Sequence, residues 1–198
     1  MARRLDRKYV AKLVSESDTY KSQVSNEINR KVNDSKKLML KEFQDHPVTK
    51  EIQDGPNSAN TSRTLAGGYG NLYTFIGFRY GSNPTGLVKN LLALTKVMKR
   101  TRTQVTRSKV TTYFTVSVPS EDQVRAVSKM PFEGGKSWVY GIERGISGFS
   151  HYMYKNYALS RSTKGLQTKK KIRSVQFKPL YGGYITQILK NFFIRISK

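Results

Sequence analysis

Over residues 6 to 44 the apolar side chains recur at spacings of three and four. Tyr9, Val10, Leu13 and Val14 come first, then Val24, Ile28, Val32, Leu38, Met39 and Phe43. That spacing places them on one narrow stripe of a long helix, with an interruption expected near Ser15 to Thr19. Lys and Asp/Glu alternate on the remaining positions and give the helix a solvated opposite face. Pro47 should stop it, because the residue before a proline is pushed out of helical geometry. An arm with so narrow an apolar stripe reads as a packing or subunit-contact element.

The arm is the only part of the chain with balanced charge. Acidic residues are missing from Gly55 to Ser120 and again after Glu143, stretches that carry nine and twelve Lys/Arg. The whole chain has 36 basic against 13 acidic residues, a net charge of +23. Such an imbalance costs self-repulsion, and a polyanionic partner is the usual reason to tolerate it. Phosphate-backbone contact is the first functional reading, and by itself it carries no sequence specificity.

With 198 residues, 12 Tyr and 9 Phe, the chain can bury a core in one domain, 1–198. The absence of cysteine removes disulfides, thiolate metal sites and Cys nucleophiles together. Arg3, Arg4, Arg7 and Lys8 are followed by no sustained apolar run, so no signal peptide is expected. The longest apolar run, Leu91 to Leu94, falls far short of a membrane span.

Beyond the arm (1–45), residues 46–64 read as an extended loop around one helical turn, Val48 to Gln53. Asp54 to Ser62 offers almost nothing to bury, and loops of this length tend to be functional or disordered. Leu72 to Tyr80 alternates and reads as a strand. Asn83 and Pro84 should cap and open a helix to about Lys99, with Lys96, Lys99 and Arg100 at its basic end. Thr101 to Ser108 and Val110 to Val118 read as a β-hairpin. Ser120, with Gln123 three residues on, caps a short helix that Pro131 ends. Ser137 to Glu143 reads as a strand with Trp138, Tyr140 and Ile142 on one face. Residues 144–179 form an irregular basic loop. From about Gly183 an amphipathic helix carries Tyr184, Ile185, Ile188, Leu189, Phe192, Phe193 and Ile196, whose docking is worth on the order of 10 kcal/mol before entropy. The expected fold is α+β: a small antiparallel sheet with flanking helices, a long N-terminal helix and an amphipathic C-terminal helix.

Catalysis finds little support. His46 and His151 lack carboxylates at ligand spacing, so a solvent-facing or aromatic-packed role fits them better than metal binding. The glycines from Gly67 to Gly70 match neither a Walker loop, since Asn71-Leu72 follows Gly70, nor a dinucleotide fingerprint, since Tyr73 stands at the third glycine. They read as a tight turn into a strand. Glu121-Asp122 belongs to a helix start. Glu133 and Glu143 flank a strand, within reach of Lys136 or Arg144, and Glu143 suits a structural pairing, including one between subunits. No catalytic residue, metal or cofactor is expected, and the chain is read as a non-enzyme. The strongest candidate contact is the basic loop, Arg161, Lys164, Lys169, Lys170, Lys171 and Arg173, facing DNA or a partner, with Tyr152, Tyr154, Tyr157 and Phe177 nearby to stack on bases.

Several runs resemble one family. Leu38 to Phe43 leads into His46-Pro47-Val48-Thr49-Lys50-Glu51-Ile52 and then Asn60-Thr61-Ser62-Arg63-Thr64-Leu65. Gly68-Tyr69-Gly70-Asn71-Leu72-Tyr73-Thr74-Phe75-Ile76-Gly77-Phe78 follows. Later come Trp138-Val139-Tyr140-Gly141-Ile142-Glu143-Arg144-Gly145 and Phe177-Lys178-Pro179 ahead of the terminal helix. Together they are similar to the tail-completion and neck proteins of tailed bacteriophages, which are related in fold to tail terminators. The Gly81 to Lys136 segment is longer than that pattern. The resemblance implies a structural virion protein, assembled in the host cytoplasm as a homo-oligomeric ring, commonly of six. It would sit between head and tail beside portal-side or tail proteins, with phage DNA in its channel and no membrane partner. On this reading Ser58, Asn60, Thr61 and Arg63 make an inter-subunit contact. A ribosomal or other RNA-binding protein is the alternative that the charge alone allows.

Overall fold

A computed structural model describes residues 6–64, 71–106, 109–131, 135–144 and 183–197. The fold is α+β, with a two-stranded antiparallel sheet and flanking helices. The chain divides into two compact units, Met1–Lys37 with Thr95–Val118, and Leu38–Leu94 with Pro119–Lys198.

In the first unit, α1 (Arg7–Glu16) is capped by the Asp6 carboxylate, which accepts from the Lys8 amide at 2.9 Å. Ser17 breaks the arm where the interruption was expected, and α2 (Asp18–Asp45) resumes it. Residues 18–37 of α2 belong to this unit and 38–45 to the other. The β-hairpin comprises β1 (Lys96–Val105) and β2 (Val110–Ser117), as expected but starting earlier. Two β-bulges, between Val97 and Lys99 and between Arg100 and Arg102, interrupt β1. The Tyr20 and Thr112 hydroxyls meet at 3.3 Å.

The second unit holds most of the core. α3 (Pro47–Gln53) opens directly after α2, with Pro47 at its first position and His46 as its cap. A single 3-10 turn covers Gly55–Asn57. Then come α4 (Leu72–Ile76), α5 (Pro84–Ala93), α6 (Glu121–Val127), α7 (Trp138–Arg144) and α8 (Ile185–Ser197). Phe43, Phe78, Trp138 and Tyr184 are buried ring by ring: Phe43 stacks on Tyr184 at 5.9 Å between centroids, and Phe78 meets Trp138 edge-on at 5.8 Å. On α8, Ile185, Ile188 and Phe192 are buried whereas Phe193 is exposed, so the docked face is narrower than the expected one. The Glu42 carboxylate fixes its far end by accepting from Arg195 at 2.5 and 3.3 Å.

Three expectations are corrected. Leu72 to Tyr80 contains a helix, not a strand. Asn71 and Thr74 form a reciprocal capping box, and Gly77 closes the turn at φ 81°, a left-handed conformation that suits glycine. The alternation misled because Leu72 to Phe78 is buried on every side. Likewise the expected strand from Ser137 to Glu143 is a helix from Trp138 on, Ser137 itself making an isolated β-bridge with Lys129: the Ser137 hydroxyl accepts from the Tyr140 amide at 3.3 Å, and burial follows Trp138, Val139 and Ile142. Half-buried Tyr140 lies instead beneath Arg125, whose guanidinium is 4.6 Å from the ring centre. Finally, α5 stops at Ala93, so Lys96, Lys99 and Arg100 stand on β1 and do not complement a helix dipole. The Ser120–Gln123 capping box is present, although α6 ends at Val127, short of Pro131.

Candidate functional site

In the second unit Glu51 and Glu143 are engaged by backbone amides, and Glu42 and Glu121 by arginine. Glu51 is fully buried on α3, and its two oxygens accept from the Ser62 amide at 2.8 Å and the Leu72 amide at 2.7 Å. One carboxylate thus ties the 54–64 loop to the start of α4. Asn71 completes the clasp: its side-chain amide faces the carbonyls of Gly55, Pro56 and Ser58 at 3.2, 3.1 and 2.7 Å. A loop with little to bury is held by polar contacts.

Glu143 neither flanks a strand nor needs Lys136. Its carboxylate accepts from the Tyr184 and Thr186 amides at 2.9 and 2.8 Å and from the Thr186 hydroxyl at 2.9 Å. It therefore caps α8 within the chain, where a negative charge complements the helix dipole. The lone acid of this basic region is structural.

His46 is aromatic-packed, its ring 4.7 Å from that of Tyr184. Its Nδ1 accepts from the Val48 amide, which requires a neutral imidazole protonated on Nε2. Burial pushes its pKa below the ordinary value, in keeping with that tautomer. Burial also pushes the Tyr184 hydroxyl pKa upward, and that hydroxyl pairs with Thr49. Among the described residues no group of three or more His, Asp or Glu could hold a metal ion. The glycine cluster lies outside the described residues; it precedes the capped start of a helix where a strand was expected, and the spacing mismatches with phosphate loops stand. His151, Glu133 and the aromatics near the basic loop also lie outside the described residues.

Of the candidate site residues, Arg161, Lys164, Lys169, Lys170, Lys171 and Arg173 lie outside the described residues. Ser58, Asn60, Thr61 and Arg63 are brought together in the clasped loop, with Thr61 and Arg63 exposed and Ser58 and Asn60 half-buried. Arg63 adopts φ 54°, a left-handed backbone that costs a non-glycine residue about 1–2 kcal/mol.

Sequence reasoning missed a second cationic surface, on the hairpin of the first unit. Lys96, Lys99 and Arg102 are exposed there, and the Arg102 guanidinium lies 5.2 Å from the Tyr113 ring centre. The signal that could have found it was a hairpin free of acidic residues with cations three apart. Extending α5 to Lys99 concealed it. Beside the hairpin, an open cleft of about 530 Å³ is lined by Lys8, Tyr9, Lys12, Arg100, Thr103 and Val105, with Asp6 and Glu16 balancing part of its charge.

Compared with protein-family models, curated proteins and solved structures, the chain finds no match.

Proposed function

We propose that this chain is a structural, non-enzymatic virion subunit of a tailed bacteriophage, a neck or tail-completion protein that forms a ring at the head–tail junction around the DNA channel. The observation that carries this reading is the exposed apolar strip of α1. Tyr9, Val10, Leu13 and Val14 all face solvent in a chain of net charge +23. Side chains of that kind on a charged helix ask for a neighbouring copy, and cations in excess ask for a polyanion. The resemblance of the His46 to Ile52, Asn60 to Phe78 and Trp138 to Gly145 runs supplies the assembly in which both demands are met.

The strained Arg63 supports an inter-subunit role for Ser58, Asn60, Thr61 and Arg63, since strain of this kind collects where a fixed shape serves a contact. The basic loop from Arg161 to Arg173 is proposed to face the DNA or a partner ring. Negative-stain microscopy and mass photometry of the purified protein test the reading. Closed rings with a central hole, formed without nucleic acid, are expected. A species that stays monomeric at tens of micromolar and captures cellular RNA in a salt-sensitive manner overturns it in favour of an RNA-binding protein.

A further inference from the structure

We infer that the outer face of the β1–β2 ribbon is a phosphate-binding surface for duplex DNA, made continuous by the two bulges in β1. In a regular strand, residues three apart point to opposite faces. Lys96, Lys99 and Arg102 are three apart, so an unbulged β1 would turn Lys99 away from the other two. Each bulge adds one residue to β1 without advancing β2 in step. Lys96 therefore pairs with Ser117, Lys99 with Thr115 and Arg102 with Tyr113. These three partners alternate along β2 and share one face, which carries the three cations with them.

The opposite face is the one that packs. Val97, Thr103 and Val105 pair with Val116, Thr112 and Val110, and all six are half-buried; the remaining pair of this face, Arg100 with Phe114, leaves Arg100 exposed. On the outer face the cations are exposed, and among the described residues none of the three forms an ion pair. No Asp or Glu occurs anywhere in the hairpin. Successive cations are separated by two rungs of β2, about 7 Å. That is close to twice the axial step of about 3.4 Å between phosphates on one strand of a duplex. Beside them run Gln104, Thr111, Thr115 and Ser117, donors suited to phosphate oxygens. Arg102 and Gln104 are joined at 3.1 Å, which orders this end of the row.

Charge complementarity selects a polyanion, and the regular spacing favours a phosphate backbone over an acidic protein. A protein partner would look for an apolar centre ringed by polar groups. Tyr113 is the one aromatic side chain on this face, and it lies against Arg102.

The inference takes from the proposed function only that DNA is the polyanion, and it adds which surface meets it. The test uses the full-length chain and a fluorescent 30-bp duplex, with affinity measured by anisotropy across a salt series. The variant Lys96→Gln/Lys99→Gln/Arg102→Gln is compared with Lys41→Gln/Lys129→Gln/Lys190→Gln, which removes the same charge from exposed positions elsewhere. The ribbon variant is expected to bind about tenfold or more weakly and to lower the slope of log K against log salt by about 2 to 3. The control should keep the wild-type slope and lie within about twofold in affinity. Circular dichroism confirms that both remain folded.

Equal losses in the two variants reduce the effect to net charge and overturn the inference, as does a ribbon variant with unchanged slope. Poly-glutamate that binds through these three residues and is not displaced by duplex also overturns it, in favour of an acidic protein partner. Mass photometry separates this inference from the junction reading. A wild-type chain that forms no rings yet binds duplex through the ribbon defeats the junction reading and upholds the ribbon.

Discussion

The unit built from 38–94 and 119–198 and the unit built from 1–37 and 95–118 treat burial and charge in opposite ways. In the former, Trp138, Tyr73, Tyr184, Phe43 and Phe192 are almost wholly enclosed, and Glu51 and Glu143 are engaged by backbone amides. In the latter, Val32 is the only fully buried apolar side chain among the described residues, and the exposed surface carries Leu13, Val14, Lys96, Lys99 and Arg102. The first encloses its rings and engages Glu51 and Glu143 internally, while Leu38, Tyr80, Leu87, Leu94 and Phe193 stay exposed on it. The other encloses little, and its exposed side chains are the ones on which association is expected to draw. Stability should therefore reside in the first kind of contact and association in the second.

The most severe test of that contrast removes the centre of the aromatic cluster. Trp138→Ala should cost about 3–5 kcal/mol, because the side chain is 1% exposed and the rings around it cannot close the void. Urea denaturation followed by circular dichroism measures it. A loss below about 1.5 kcal/mol would mean that the cluster collapses freely and does not organise its unit.

A smaller effect should follow from Glu51→Gln, about 2–4 kcal/mol, since an amide can accept from only one of the two backbone N–H groups that Glu51 serves, and its own NH2 opposes the other. Hydrogen exchange at Ser62 and Leu72 should rise together, because a single side chain holds both amides. If only one of them quickens, the loop and the start of α4 are fastened separately.

Much of this was legible in the residues, and the failures have a common cause. Helix starts carried by side-chain caps were readable, as with Ser120 and Gln123 or Asn83 and Pro84, because the cap is a local interaction. The apolar period of the arm placed an interruption near Ser15 to Thr19, and the helix breaks within that interval, at Ser17. Alternation failed at Leu72 to Phe78, where burial on all sides erases the difference between two faces, and at Trp138 to Ile142, where the buried face is Trp138, Val139 and Ile142 at helical spacing. There the caps Asn71 and Ser137 decided the structure, and reading them first would have given helices. The ribbon was legible only as an acid-free hairpin carrying cations; that Lys96, Lys99 and Arg102 share one face was not, since three-residue spacing reads as one face only when the bulges are known. Glu143 was recognised as structural, while its contact with α8 spans 41 residues and is set by tertiary packing.

At the small end of the scale stands Leu13→Ser/Val14→Ser. Both side chains are about half exposed, 51% and 49%, so the folding free energy of the monomer should change by no more than about 0.5 kcal/mol. Ring formation, followed by mass photometry over a dilution series, should nevertheless weaken at least tenfold if a neighbouring copy covers this strip, because each subunit then loses two apolar contacts at its interface. A loss of 1.5 kcal/mol or more in the monomer would show that the strip is packed within the chain, and the contrast between the two units would fail at its weaker side. Unchanged stability with unchanged assembly would assign the cohesion of the ring to the clasped loop around Arg63. The strip would then be a surface that α1 leaves open to some other protein.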